Sequence, residues 1–173
     1  MPPLEAETLS TLLAKMVHTA RSAGALIMRH YAGDIEHRHK ADKSPVTAAD
    51  EEAEQLILRD LAEAAPGIPV VAEESAAAGS LPDVSGGIFF LVDPLDGTKE
   101  FLSRNGEFTV NIALIEHGTP TAGVVFAPAV DRLFWGNSHG AFEEANGNRR
   151  QIKTRAAPTN GLIAIASRSH RDR

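Results

Sequence analysis

The sequence contains no cysteine. Disulfides, thiolate metal ligands and a cysteine nucleophile are therefore excluded, and a reducing compartment is the natural expectation. No apolar run approaches transmembrane length. No basic-then-apolar leader opens the chain, where Glu5 and Glu7 stand instead. Basic residues are not in excess: 17 Lys and Arg face 23 Asp and Glu, for a net charge of −6. Bulk charge thus gives no hint of a nucleic-acid groove. There is no internal repeat and no linker dividing the chain. What remains is 173 residues, 43% apolar and 23% charged, enough for one substantial core of ordinary globular composition.

The most informative stretch runs from Phe90 to Phe101. The apolar residues Ile88 to Val92 read as a buried strand that stops at an acidic turn. Asp93 and Asp96 are hard oxygen donors, Pro94 stiffens the chain between them, and Thr98 adds a hydroxyl. Gly97 permits an unusual φ/ψ or a close backbone approach. Carboxylates at the end of a buried strand are costly unless a charge partners them, and a divalent cation is the usual partner. Taken alone, the stretch reads equally as a helix entry capped by Asp96. A second apolar run, Ile68 to Ala72, ends in Glu73-Glu74-Ser75. Two strand ends that deliver acids can converge on one cation. A calcium EF-hand is disfavoured, because Asp93 to Gly97 lacks that loop's ligand spacing and its terminal Glu.

Around these acids the elements are legible. Leu9, Leu12, Leu13, Met16, Ala20, Ala23, Ile27 and Tyr31 recur at helical spacing. Residues 34–40 alternate weakly, as a strand or extended arm, and 41–45 form a polar loop. Thr47 and Asp50 make a capping-box-like start to a second amphipathic helix, which Pro66-Gly67 ends. Residues 76–87 read as a mobile surface loop. Strands follow at 108–115, 122–127, 133–136, 140–143, 151–154 and 162–167, with an Asn146-Gly147 hairpin turn. His30, His37 and His39 read as solvated or capping residues. Phe134 and Trp135 read as packing, and Arg149 and Arg150 as solvated surface. The order predicts an α+β class: two long N-terminal helices on a mostly antiparallel sheet.

Three segments, Pro45-Val46-Thr47-Ala48-Ala49-Asp50, Val71-Ala72-Glu73-Glu74-Ser75 and Asp93-Pro94-Leu95-Asp96-Gly97-Thr98, together resemble the inositol monophosphatase superfamily of magnesium-dependent, lithium-sensitive phosphatases. Lys99-Glu100-Phe101 and the run Asn105 to Ile115 look like its CysQ branch, the 3′(2′),5′-bisphosphate nucleotidases, as does Ile165 to His170. The resemblance implies two or three Mg²⁺ ions. Glu73, Asp93 and the Leu95 carbonyl would hold one, and Asp93 would bridge to a second also held by Asp96. Asp50 and the Thr98 hydroxyl, with Glu73 nearby, would orient and deprotonate the attacking water. Glu73, Leu95, Asp96, Gly97 and Thr98 would border the substrate, with the Gly97 and Thr98 amides receiving phosphate. Glu74 would support the loop rather than ligate.

The implied substrate is adenosine 3′,5′-bisphosphate, hydrolysed to AMP and phosphate, with its 5′-phosphosulfate analogue as a further substrate in sulfur assimilation. The alternatives are an inositol or sugar monophosphatase, or a catalytically incomplete metal- and phosphate-binding fragment. The partner is a small phosphorylated nucleotide, not a nucleic acid. A cytoplasmic location is implied, with peripheral attachment to the inner membrane as a second option. The family carries a further ligating aspartate in a Trp-Asp pair, in a second α/β domain. Here Trp135 is followed by Gly136. The expectation is that residues 1–173 form the N-terminal domain alone and that the C-terminal domain, with most nucleoside contacts, is absent.

Overall fold

A computed structural model describes residues 4–40, 45–159, 161, 163 and 164. The helical repeat of the N-terminal segment becomes α1 (Ala6–Ala32), whose buried stripe includes Leu12, Met16, Ala20, Ala23 and Ile27. A short hairpin follows, β1 (His37–His39) against β2 (Pro45–Thr47), in register His39↔Pro45. The polar loop expected at 41–45 lies outside the described residues apart from Pro45. Next comes α2 (Ala48–Ala64). Thr47 and Asp50 form the reciprocal capping box: the Thr47 side chain accepts from the helix start, and Asp50 accepts from the Thr47 backbone N–H.

The larger sheet has seven strands in sequence order: β3 (Val70–Ala72), β4 (Ile88–Asp96), β5 (Thr109–Glu116), β6 (Thr119–Ala127), β7 (Arg132–Asn137), β8 (Gly140–Ala145) and β9 (Asn148–Ile152). Every neighbouring pair is antiparallel except β3 and β4, which are parallel. Two short helices interrupt it, α3 (Glu73–Ala77) and α4 (Thr98–Leu102). The class is the expected α+β arrangement. Alternation along each strand gives the sheet two unlike faces. Phe90, Val92, Val110, Ile112, Leu114, Val124 and Phe126 are buried in the core with α1 and α2. On β4 and β6 the alternate positions Leu91 and Val125 stay 47% and 42% exposed.

Packing near the C-terminal end of α1 fixes where α4 sits. Tyr31, Phe101 and Phe108 form an aromatic cluster with centroids 5.0–5.3 Å apart. Arg104 lies over Tyr31 and donates to the carbonyls of Tyr31 and Gly33. At the far edge, Trp135 stacks on Phe142, and Arg149 covers both rings at 4.9 and 4.4 Å. Arg132 and Arg150 both pair with the buried Glu143 carboxylate. Arg149 and Arg150 are exposed, as expected, and each also makes a defined contact across the strand edge. His30 pairs with Glu52 at 3.0 Å, while His37 and His39 are exposed.

Several boundaries differ from the sequence reading. β4 does not stop at Val92. It pairs with β5 through Asp93↔Asn111 and Asp96↔Thr109, with a bulge between them. That bulge accommodates Pro94, which has no N–H to give to a regular ladder. Glu73 to Ser75 open α3 rather than ending in a loop, so the irregular segment begins after Ala77. The last hairpin turns on two residues, Asn146 (φ 50°) and Gly147 (φ 74°), so β9 starts at Asn148 instead of Gln151. Of the strand expected at 162–167, only Ile163 and Ala164 are described, and neither is in a strand. No helix among the described residues is long and apolar enough to cross a membrane.

Candidate metal centre

The parallel pairing of β3 and β4 creates the site. Their register is Val70↔Phe90, Val71↔Leu91 and Ala72↔Val92. The next residue on each chain segment, Glu73 at the start of α3 and Asp93 just before the β4 bulge, therefore lies at the same end of the β3–β4 pairing. The β4 bulge then carries the chain through Leu95, which is 2% exposed, to Asp96. Gly97 turns it with φ +97°, and a Cβ there would meet the Glu107 carbonyl at 2.9 Å. Only glycine fits both conditions. Thr98 begins α4 directly after that turn.

The N-terminus of α2 faces the same point. Asp50 is 1% exposed. Its Oδ2 accepts from the Thr47 N–H at 2.8 Å and the Thr47 hydroxyl at 2.6 Å. Its Oδ1 accepts from the Thr98 hydroxyl at 3.0 Å. Burial pushes the Asp50 carboxyl up, and the bonds from Thr47 and Thr98 oppose that shift without cancelling it. The Leu95 carbonyl lies 3.4 Å from the Thr98 hydroxyl. A hydroxyl that gives its proton to Asp50 keeps its lone pairs for another donor, such as a water.

Asp93 is the strained member. Its Oδ1 is buried with no hydrogen-bond partner. Burial, then the negative charges of Glu73 and Asp96, push its carboxyl up to about 8. A hard cation would remove both penalties at once, so this donor set fits magnesium. The other acids are engaged elsewhere. Lys40 Nζ lies 2.6 Å from Glu73 Oε1 and 2.8 Å from Glu74 Oε1. Asp96 Oδ2 accepts from Asn111 Nδ2 at 3.1 Å. Among the described residues, no three acidic or histidine side chains are already gathered in metal-holding geometry.

Three participants went unread in the sequence: Lys40, Asn111 and Glu54. Glu54 is 4% exposed. It accepts from the Glu74 N–H at 2.7 Å, the Ser75 N–H at 2.8 Å and the Ser75 hydroxyl. Its available signal was position: it stands four residues after Asp50, on the same face of one helix. Asn111 was visible as a polar residue inside an alternating strand. Beside Glu73, Asp93 and Asn111 lies an open apolar trough of about 520 Å³, floored by Val71, Leu91, Ala113, Gly123 and Val125.

The inositol monophosphatase family model matches residues 8–173. This chain belongs to the inositol monophosphatase family. The 3′(2′),5′-bisphosphate nucleotidase CysQ of Salmonella typhimurium is 45% identical over 163 residues, covering 93% of this chain and 65% of that protein. Among solved structures, SuhB from Bartonella henselae aligns with a TM-score of 0.71 at 33% identity, over 83% of this chain and 55% of that one. CysQ from Bacteroides thetaiotaomicron aligns at 0.63 and 36%, over 78% of this chain and 49% of that one. The chain thus spans less than two thirds of the length of these family members.

Proposed function

We propose that this chain carries the metal- and phosphate-binding part of a magnesium-dependent phosphatase that hydrolyses the 3′-phosphate of adenosine 3′,5′-bisphosphate to AMP and phosphate. The 5′-phosphosulfate analogue is a further substrate, which gives the enzyme a role in sulfur assimilation in the cytoplasm. The observation that carries the reading is the Thr98 hydroxyl donating to the buried Asp50 at 3.0 Å, beside the register-matched Glu73 and Asp93. Similarity to CysQ nucleotidases supports the substrate. Glu73, Asp93, Asp96 and the Leu95 carbonyl would hold two or three Mg²⁺ ions. Bound magnesium would supply acidification of water and neutralisation of charge on the phosphate and leaving oxygens.

The chain's own residues do the rest. Asp50 holds the Thr98 proton, so Thr98 Oγ1 can accept from a water and aim it. Glu73, at the adjoining strand end, faces the same water. The turn at Gly97 lets a phosphate approach the backbone N–H groups of Gly97 and Thr98. Phosphate release with Mg²⁺ from adenosine 3′,5′-bisphosphate and from inositol 1-phosphate tests the assignment. Faster turnover of the nucleotide is expected, and faster turnover of the inositol ester would reassign the protein as an inositol or sugar phosphatase. Thr98→Ala is expected to lower turnover far more than Mg²⁺ affinity; a loss confined to affinity would contradict the dyad.

A second reading is favoured by the open trough beside Asp93 and by the 65% span of the relative. In it, residues 1–173 bind metal and phosphate but need a further α/β domain over that face for efficient turnover. An activity assay on the 173-residue chain decides between the two. Robust turnover lost in Asp93→Asn excludes the incomplete fragment.

A further inference from the structure

Glu73 is assigned above as a metal ligand, yet its carboxylate is already held. We propose that Lys40 is the resident counter-ion of the site, and that a divalent cation binds by displacing its ammonium from Glu73. This rests on the reading of Glu73 and Asp93 as ligands and goes beyond it, by making metal uptake an exchange of one cation for another.

The placement of Lys40 follows from the fold. It directly follows β1, and β1 pairs with β2, the strand that runs into Thr47 and Asp50. One hairpin thus sets both the water-orienting dyad and the lysine. The Lys40 side chain is only 12% exposed, and so is that of Glu74, while Glu73 is 46% exposed. Burial works against the Lys40 charge, but hydrogen bonds and charges from Glu73 and Glu74 outweigh it and hold the ammonium above its usual range.

One ammonium cannot balance this neighbourhood. Glu73 lies beside Glu74 on one side and Asp93 on the other, and Lys40 reaches Glu73 and Glu74 but is not paired with Asp93. Asp93 Oδ1 is left buried without a partner. A divalent ion carries the second charge that Lys40 lacks. Lys40 also has somewhere to go. Its Nζ already lies 2.8 Å from Glu74 Oε1, so it can let go of Glu73 and keep its half-buried partner. A flexible stem with a point charge suits such a release better than a planar guanidinium would. Glu74 then serves as the parking partner of the lysine, which explains a half-buried acid next to a ligand that need not itself ligate.

The test is calorimetric titration of the 173-residue chain with Mg²⁺, repeated with Mn²⁺ followed by the paramagnetic signal of the free ion. Wild type, Lys40→Met and Asp93→Asn are compared. Because Glu73 is half in solvent, its pair with Lys40 has surface strength, and losing it is expected to tighten Mg²⁺ binding by about fivefold. The metal-free Lys40→Met chain is expected to melt lower than wild type, and Mg²⁺ to raise its midpoint by more. Lys40→Gln, which keeps a donor without the charge, guards against a variant that fails to fold and is expected to behave likewise. If Asp93→Asn loses metal binding while both Lys40 variants bind Mg²⁺ no tighter than wild type, the exchange is overturned and the metal centre stands. If Asp93→Asn leaves binding unchanged, the metal centre itself is wrong and the exchange falls with it.

Discussion

Asp93→Asn is expected to abolish the stabilisation proposed to come from bound Mg²⁺ and, at the same time, to make the metal-free fold more stable. The two effects have opposite signs because they have one cause. Asp93 sits just before the β4 bulge, among Glu73 and Asp96, buried enough to leave Oδ1 without a partner. The asparagine keeps the shape and cannot ionise. With no metal, that removes the cost of folding a carboxyl that must either take up a proton or sit desolvated beside like charges. With metal, it removes the one carboxylate shared between the proposed ions. Changes in outer-shell partners cost about 10–100-fold in affinity, so loss of the bridging ligand is expected to exceed that range, and nucleotide hydrolysis to fall with it.

The pH dependence follows from the same shift. The unfolded chain loses the Asp93 proton near the ordinary carboxylate value of about 3.9, whereas the folded chain keeps it up to about 8. Between those values the native state binds more protons, so stability falls as pH rises and levels off above the folded value. Burial also raises Asp50 and Glu74, which adds to the same trend. Urea midpoints of the metal-free chain at pH 5 and pH 8 are expected to drop for wild type and to drop less for Asp93→Asn. A variant that still melts higher in Mg²⁺, or an equal pH slope in both chains, would remove Asp93 from the centre.

How much of this could be read from the sequence depends on the range of the interaction. α1, α2 and the capping box are local patterns, and their periods and spacings are written in consecutive residues. β5 was legible by alternation and β6 to β8 as a hairpin partner and short strands between turn signals, and the short Asn146-Gly147 turn fixes the β8–β9 register once its two-residue length is taken seriously. Glu73 and Asp93 were visible as acids ending apolar runs. Their convergence was an expectation from the paired acidic ends and the family resemblance, but the register Ala72↔Val92 that produces it was not legible, because the two strands are separated by an irregular segment. Pro94 disguised the continuation of β4, since a proline argues against a central strand unless a bulge receives it. Lys40 reaches Glu73 across 33 residues and Glu54 reaches Ser75 across 21. Local spacing placed Glu54 on the Asp50 face of its helix, but no local pattern names the distant partner of either residue. The exposed side of the sheet, with Leu91 and Val125, likewise emerges only once the faces are assigned.

Glu54 is the clearest case of a residue whose importance lies entirely in such contacts. α3 is a five-residue helix, too short to stand on intrinsic propensity. Glu54, from α2, accepts two of its early N–H groups and the Ser75 hydroxyl. It thereby fixes the direction in which Glu73 leaves β3. Glu54→Ala strips the acceptor from all three donors. Two of them are backbone groups that are only partly buried, so water can replace part of the loss, and the expected cost is about 2–4 kcal/mol. For a chain of this size that lowers the thermal midpoint by roughly 5–15 °C. Mg²⁺ affinity is expected to fall about 10–100-fold, as for other outer-shell partners, because Glu73 loses its aim. Glu54→Gln retains one acceptor oxygen and is expected to recover part of both losses. Ile57→Ala, on the same helix and fully buried, supplies a core variant with a comparable stability cost. Titration with Mg²⁺ at a temperature where all three variants are folded separates the roles. If Ile57→Ala loses affinity as severely as Glu54→Ala, Glu54 merely stabilises the fold. If only the Glu54 variants lose it, the carboxylate on α2 is what points Glu73 at the metal.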